Sequence, residues 1–188
     1  MGRPAKTRAL RHAGCSGVEI IPVPATAYIA LGSNLGDSRS VLTRAMERLR
    51  ELSAGPIAKS SFFETTPVDC PPGSPIFLNA VVALTPKGGE TPESLLAKLQ
   101  TLEREFGRAP KKVLNEPRPL DLDLIAFGNE IRATPELTLP HPRAGLRRFV
   151  LEPLAELAPD LILPGQGKSV CELLSQLTSD EVIRKLQG

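Results

Sequence analysis

Residues 118–124 read Arg-Pro-Leu-Asp-Leu-Asp-Leu, and this strict alternation constrains the chain more than any other stretch. Side chains of a strand point to opposite faces in turn, so Leu120, Leu122 and Leu124 share one face and Asp121 and Asp123 share the other. Carboxylates are poor strand formers. Two of them a few ångströms apart repel unless a cation lies between them. The pattern fits either the solvated face of a half-exposed strand or a metal pair. Mg²⁺ suits the second reading, because it takes a few carboxylate oxygens and leaves the rest of its shell to waters and substrate phosphates.

The elements around this strand follow from spacing. Ala27 to Leu31 is a short apolar strand that ends at the turn-forming run Gly32–Asp37. Val41, Leu42, Ala45, Met46, Leu49 and Leu52 recur at helical spacing behind a cap at Asp37 or Ser38. Ile57 to Glu64 reads as a strand, Val68 to Pro75 as a Pro-rich loop, and Phe77 to Leu84 as a strand interrupted by one polar residue, Asn79. Thr91-Pro92-Glu93 opens a second helix. A basic loop, Arg108 to Arg118, leads into the strand Leu120 to Phe127. The order β-α-β-β-α-β is the ferredoxin-like α+β arrangement, one antiparallel sheet with two helices on one face. Helical pieces near 149–157, 170–177 and 180–186 form a C-terminal extension.

Charge and composition narrow the function. Residues 1–24 carry four bases and one acid, and the remaining residues carry 19 bases and 20 acids. The domain at 25–188 is therefore near neutral, unlike a general nucleic-acid binder. An RNA-binding module on this fold would also need exposed aromatics, and the chain has six Phe, one Tyr and no Trp. The basic head is broken by Gly and Pro and reads as a disordered extension without a secretory core. No apolar run is long enough for a membrane span. Three scattered cysteines, Cys15, Cys70 and Cys171, point to a reduced, cytoplasmic protein.

Bases cluster on both sides of the acidic strand: Arg108, Lys111, Lys112 and Arg118 before it, and Arg143, Arg147 and Arg148 after His141. Alone they are a solvated loop; beside a carboxylate pair they fit a polyphosphate–Mg²⁺ site. No Walker A pattern is present. Asn79, with Phe77 on the same face, either pairs with backbone or reads the edge of a polar heterocycle against which Phe149 stacks.

These segments together resemble the 6-hydroxymethyl-7,8-dihydropterin pyrophosphokinases of folate synthesis. The motifs are AYIALGSNLGD at 27–37, SSFFETTPV at 60–68, FLNAVVAL at 77–84, PRPLDLDLIAFGN at 117–129 and LTLPHPRAGLRRFVLEPLAELAPD at 137–160. The resemblance implies transfer of the β,γ-pyrophosphoryl group of ATP to the hydroxymethyl group of the dihydropterin, with release of AMP. It implies that Asp121 and Asp123 bind two Mg²⁺ ions, with Asp121 also near the attacking hydroxyl. Thr65, Thr66, Val68, Phe77, Asn79 and Phe149 match the pterin pocket, and Asn34 matches a loop residue beside it. Gln100, Glu103, Leu124 and Thr138 match nucleotide-side positions. Arg108, Arg118, His141 and Arg147 match residues around the phosphates, with Arg108 and Arg118 catalytic. The family is monomeric or weakly dimeric and acts on small molecules. This chain departs from it in the mobile lid. Many members read Arg-Trp-Gly-Pro-Arg there, whereas residues 114–118 are Leu-Asn-Glu-Pro-Arg, and Pro110 replaces an arginine, leaving Lys111 as the adjacent ATP-binding base.

Overall fold

A computed structural model describes residues 25–109 and 116–187. The basic head at 1–24 and the lid residues 110–115, including Lys111, lie outside the described residues.

One antiparallel sheet carries the fold. Its strands are β1 (Ala27–Ser33), β2 (Ala58–Lys59), β3 (Phe63–Thr65), β4 (Phe77–Leu84), β5 (Asp121–Phe127) and β8 (Ile183–Lys185). They run in the order β5-β1-β4-β3-β8, with β2 also paired to β4. A separate hairpin joins β6 (Arg132–Ala133) to β7 (Thr138–Leu139). The helices are α1 (Ser38–Leu52), α2 (Pro92–Glu105), α3 (Arg148–Leu157) and α4 (Val170–Gln176).

Both helices expected between the core strands form where their caps place them. Asp37 accepts from the Ser40 amide at 3.1 Å. Thr91 and Ser94 close a capping box, and Pro92 sits in the first turn of α2. The apolar stripes of α1 and α2 meet Ile29, Leu31, Ala80, Val82, Leu122 and Leu124 on one face of the sheet. The other face is covered as well. Val150, Leu151 and Leu154 of α3 pack on Val81, Ile125 and Ala126, with Val170 of α4 in the same cluster. The molecule is thus helices, sheet, helices, with two apolar cores back to back.

Three expectations change. First, β1 continues through Gly32 and Ser33 rather than turning at Gly32, because both residues pair with β4 and Gly32 also pairs with β5. Second, the strand expected over 57–64 is broken in two. The Ser60 hydroxyl accepts from the Val81 amide at 2.9 Å and donates to the Ser61 carbonyl at 2.8 Å, so a side chain takes the place of a ladder partner. Third, residues 183–185 form an edge strand on β3, not the helix expected over 180–186. Pairing with a strand far off in sequence overrides a short local helical pattern, and Arg184 is tied across to Glu64.

Leu99 is fully buried where α2 crosses the sheet. Leu99→Ala is expected to lower unfolding free energy by about 2–5 kcal/mol in urea melts; an unchanged midpoint would contradict this core assignment.

Candidate active site

The register of β1 with its two neighbours builds the site. Gly32 is opposite Asn79 of β4 on one side and Asp121 of β5 on the other. Ala30 is opposite Val81 and Asp123. Directly opposed residues share a face, so the amide and both carboxylates emerge on the side away from α1 and α2. Gly32 also has a steric reason to be glycine: a Cβ there would lie 3.2 Å from Asn79 Oδ1 and crowd the amide.

A β-bulge then ends the polar stretch. The pairing of β5 with β1 slips between Tyr28 and Ile29, leaving Ile125 without an opposite residue. Ile125 and Ala126 both join the core under α3. The Ile125 carbonyl accepts from the His141 amide at 2.8 Å, which brings His141 beside the strand.

The result is a cleft of about 620 Å³, counting its open mouth. It brings together Thr65, Thr66, Val68, Phe77, Asn79 and Phe149 with Arg118, Asp121, Asp123 and Arg147. Asn79 donates to Thr65 Oγ1 at 2.8 Å, so its partner is a cleft side chain rather than backbone. The aromatic walls carry arginines: Arg118 lies 5.7 Å from the Phe77 ring centre and Arg147 lies 5.2 Å from that of Phe149.

The two aspartates differ in environment. Asp121 is bridged by Arg108 at 2.6 Å and Arg118 at 3.0 Å. Arg108 also pairs with Glu103 on α2, and Glu103 accepts from the Leu122 amide at 2.8 Å, locking α2 to β5. Burial pushes the Glu103 carboxyl up. Asp123 has no ion pair among the described residues. Burial, then the charge of Asp121, pushes its carboxyl above the ordinary range, against the opposing charges of His141, Arg147 and Arg118. Burial pushes His141 down, favouring the neutral ring. Its Nδ1 accepts from the Arg143 amide at 3.3 Å, which leaves the proton on Nε2 as a donor. Burial also lowers Arg147, with Arg143 adding to the effect.

The remaining expected residues take other places. Asn34 acts as a latch: it accepts from the Arg118 amide at 2.9 Å, donates through its own amide to the Arg118 carbonyl at 3.2 Å, and donates to the Pro75 carbonyl at 3.3 Å. Gln100 is exposed on α2 and Thr138 is exposed on β7. The Leu124 side chain is buried under α1 and α2, so it is spent on the core and only its main chain is left for a ligand. Gly32 and Cys70 line the cleft without having been singled out as site residues. Gly32 read as the first residue of a turn, so only the strand register reveals its place, and Cys70 carried no signal.

Comparison with known proteins agrees with this geometry. Residues 28–159 match the family model for 7,8-dihydro-6-hydroxymethylpterin-pyrophosphokinase. The chain belongs to that family. It is 38% identical to the 2-amino-4-hydroxy-6-hydroxymethyldihydropteridine pyrophosphokinase of Haemophilus influenzae, over 85% of this chain and 97% of that one. Against the enzyme of the same name from Pseudomonas aeruginosa the identity is 40%, over 86% and 96%. Among solved structures, a Plasmodium falciparum HPPK-DHPS chain with pteroate superposes with a TM-score of 0.64 at 14% identity, over 82% of this chain. The match spans 42% of that longer chain and speaks to the fold alone. Among the described residues no helix is long and apolar enough to cross a membrane.

The raised carboxyl of Asp123 has a consequence for stability. A folded-state pKa above the unfolded value means that the fold penalises the charged form, so stability is lost as pH rises through the carboxylate range. Asp123→Asn is expected to melt above the wild type at pH 7.5 without ligands, the difference shrinking on acidification, as read by calorimetry. A lower melting temperature for the variant at pH 7.5 would contradict the assigned strain.

Proposed function

We propose that the cleft transfers the pyrophosphoryl group of ATP to 6-hydroxymethyl-7,8-dihydropterin, giving the pterin diphosphate and AMP. The observation that carries this reading is the placement of an amide flanked by aromatic walls on the same sheet face as a carboxylate pair ringed by arginines. A flat polar heterocycle fits the first half and a polyphosphate fits the second.

Phe77 and Phe149 offer faces for the ring, and Asn79, oriented by Thr65, offers its remaining amide positions to polar ring atoms. In the transfer, the hydroxymethyl oxygen bonds to the β-phosphorus. The bond from that phosphorus to the oxygen bridging the α-phosphate breaks, AMP leaves, and the hydroxyl proton is lost. Reactions of this kind depend on alignment and charge neutralisation more than on covalent catalysis. Arg108 and Arg118, held by Glu103, Asn34 and Asp121, supply fixed positive charge. Arg118 Nε is buried without a partner in the described structure, a donor suited to a phosphate oxygen. Arg147 and the His141 Nε2–H complete the phosphate side.

The donor set fits Mg²⁺. Asp121 and Asp123 are oxygen donors only, one of them half-buried without an ion pair, and no third acidic, His or Cys ligand completes an all-protein cage among the described residues. Two carboxylates that leave room for phosphate oxygens are what Mg²⁺ in such sites takes. When bound, two such ions would neutralise polyphosphate charge and orient it. Asp121, already shared between two arginines, would hold the metal side and face the attacking hydroxyl. Gln100, Glu103, Leu124 main chain, Thr138 and Lys111 are assigned to the nucleotide side.

The strand order β5-β1-β4-β3, with α1 and α2 on one face, supports the ferredoxin-like reading of the core, with α3 and α4 as its C-terminal addition. Separated free thiols at Cys70 and Cys171 support a reducing, cytoplasmic setting.

Incubation with ATP, Mg²⁺ and the hydroxymethyl dihydropterin is expected to yield AMP in step with pterin diphosphate; ADP instead would sink the assignment. Asp121→Ala is expected to lower kcat by at least about a hundredfold, because it removes a metal donor and unpairs two arginines at once.

A further inference from the structure

One wall of the cleft is held by the sheet from both sides. Thr65 of β3 and Thr66 just after it line the cleft. On one side β3 pairs with β4, with Thr65 opposite Phe77 and Phe63 opposite Asn79. On the other it pairs with β8, with Thr65 opposite Ile183 and Phe63 opposite Lys185. The second partner comes from a segment beyond the family match at 28–159. β3 is only three residues long, so its place is set by its neighbours rather than by its own length.

The contact with this C-terminal segment runs one residue past β3, and there it reaches the cleft. The Thr66 amide donates to the Val182 carbonyl at 3.1 Å, and the Val182 amide donates to Thr66 Oγ1 at 3.2 Å. The next residue is Pro67, which has no amide to donate. Thr66 is therefore the last point at which the wall is fastened before the loop that carries Val68 and Cys70 along the cleft. The Val182 side chain is 66% exposed, so the fastening is made by its main chain. Having accepted from Val182, the Thr66 hydroxyl keeps its own proton, which has no acceptor among the described residues. A hydroxyl with its oxygen pinned and its proton free is a directed donor on the cleft wall.

We infer that Val182 is a positioning residue for the pterin: its main chain aims the Thr66 hydroxyl and fixes the start of the loop that continues the wall. A C-terminal strand that served stability alone would lower the melting temperature when loosened and leave substrate affinity untouched. A strand that aims a donor at the ring changes pterin affinity when the contact is cut, because small misplacements of binding groups have large kinetic effects. The polyphosphate side, built from Arg118, Asp121 and Asp123 on and before β5, has no bond to Val182 among the described residues, so the effect falls on one substrate.

The inference rests on the pterin reading of the cleft, so the experiment measures both. AMP release is followed for the wild type, Val182→Pro, Thr66→Val and the double variant, with kcat, KM for each substrate and the melting temperature of each protein. Val182→Pro removes the donor to Thr66 Oγ1 and is expected to raise KM for the hydroxymethyl dihydropterin about tenfold, with a smaller change in KM for ATP. Thr66→Val removes the acceptor at nearly constant volume and is expected to raise it by a similar factor. The double variant is expected to be about as weak as the worse single variant, because both substitutions cut one contact. A product of the two effects, roughly a hundredfold, would mean that the residues act independently and overturns the inference. A pterin KM within about threefold of wild type for Val182→Pro overturns it as well, whatever the melting temperature. If Val182→Pro does not fold, Val182→Gly takes its place in the cycle: it keeps the amide but loosens the backbone that aims it. Its expected rise in pterin KM is about fourfold, and an unchanged value overturns the inference. Failure of the wild type to form AMP overturns the reading of the site and this inference with it. An active wild type beside an indifferent Val182 variant overturns the inference alone.

Discussion

The register of β5 against β1 is the constraint on which the rest depends. With Gly32 opposite Asp121 and Ala30 opposite Asp123, three leucines face α1 and α2 and two carboxylates face the cleft. A slip of one residue would exchange the faces, burying charge under the helices and emptying the site. The bulge at Ile125 lets one strand serve both purposes. Before it the outer face is polar; after it Ile125 and Ala126 seal the core under α3, and the Ile125 carbonyl holds His141 against the site. The apolar alternation that stabilises the sheet therefore also aims the chemistry.

Around that strand the charges are unevenly balanced. Asp121 has two arginines, whereas Asp123 is half-buried with no ion pair in the described structure and its carboxyl is pushed up. A site balanced without ligands would have little to gain from a cation. In the proposed reading the uncompensated carboxylate and the unpartnered Arg118 Nε await a metal and a polyphosphate, and the fold carries their cost in stability. The supports of these groups come from several elements: Glu103 on α2 for Arg108, Asn34 after β1 for Arg118, and Thr65 on β3 for Asn79. Preorganisation of this kind is what charge-stabilised transfer requires.

Much of this was legible in the sequence, and the missing parts have physical reasons. Alternation at 120–124 and the lone amide at Asn79 are local signals, and both read correctly as to face. The two helices carry their caps beside them in the chain. By contrast, β8 is three residues long and its partner β3 lies about 120 positions away, so no local periodicity announces it. The bulge at Ile125 is a relation between two strands, not a property of either. Leu124 could be matched by position, but which way its side chain points follows from the leucine face to which it belongs. Asn34 could be placed near the site, but its latch on Arg118 joins residues 84 apart.

The central claim is that Asp121 and Asp123 form the metal side of a cleft whose other side takes the pterin. Its most direct test is anomalous diffraction from crystals grown with Mn²⁺, a non-hydrolysable ATP analogue and the hydroxymethyl dihydropterin. The account predicts metal peaks bonded to both carboxylates and shared with phosphate oxygens, with the pterin between Phe77 and Phe149. Metal bound only to the nucleotide, with Asp121 still paired to Arg108 and Arg118 and Asp123 bare, would contradict it.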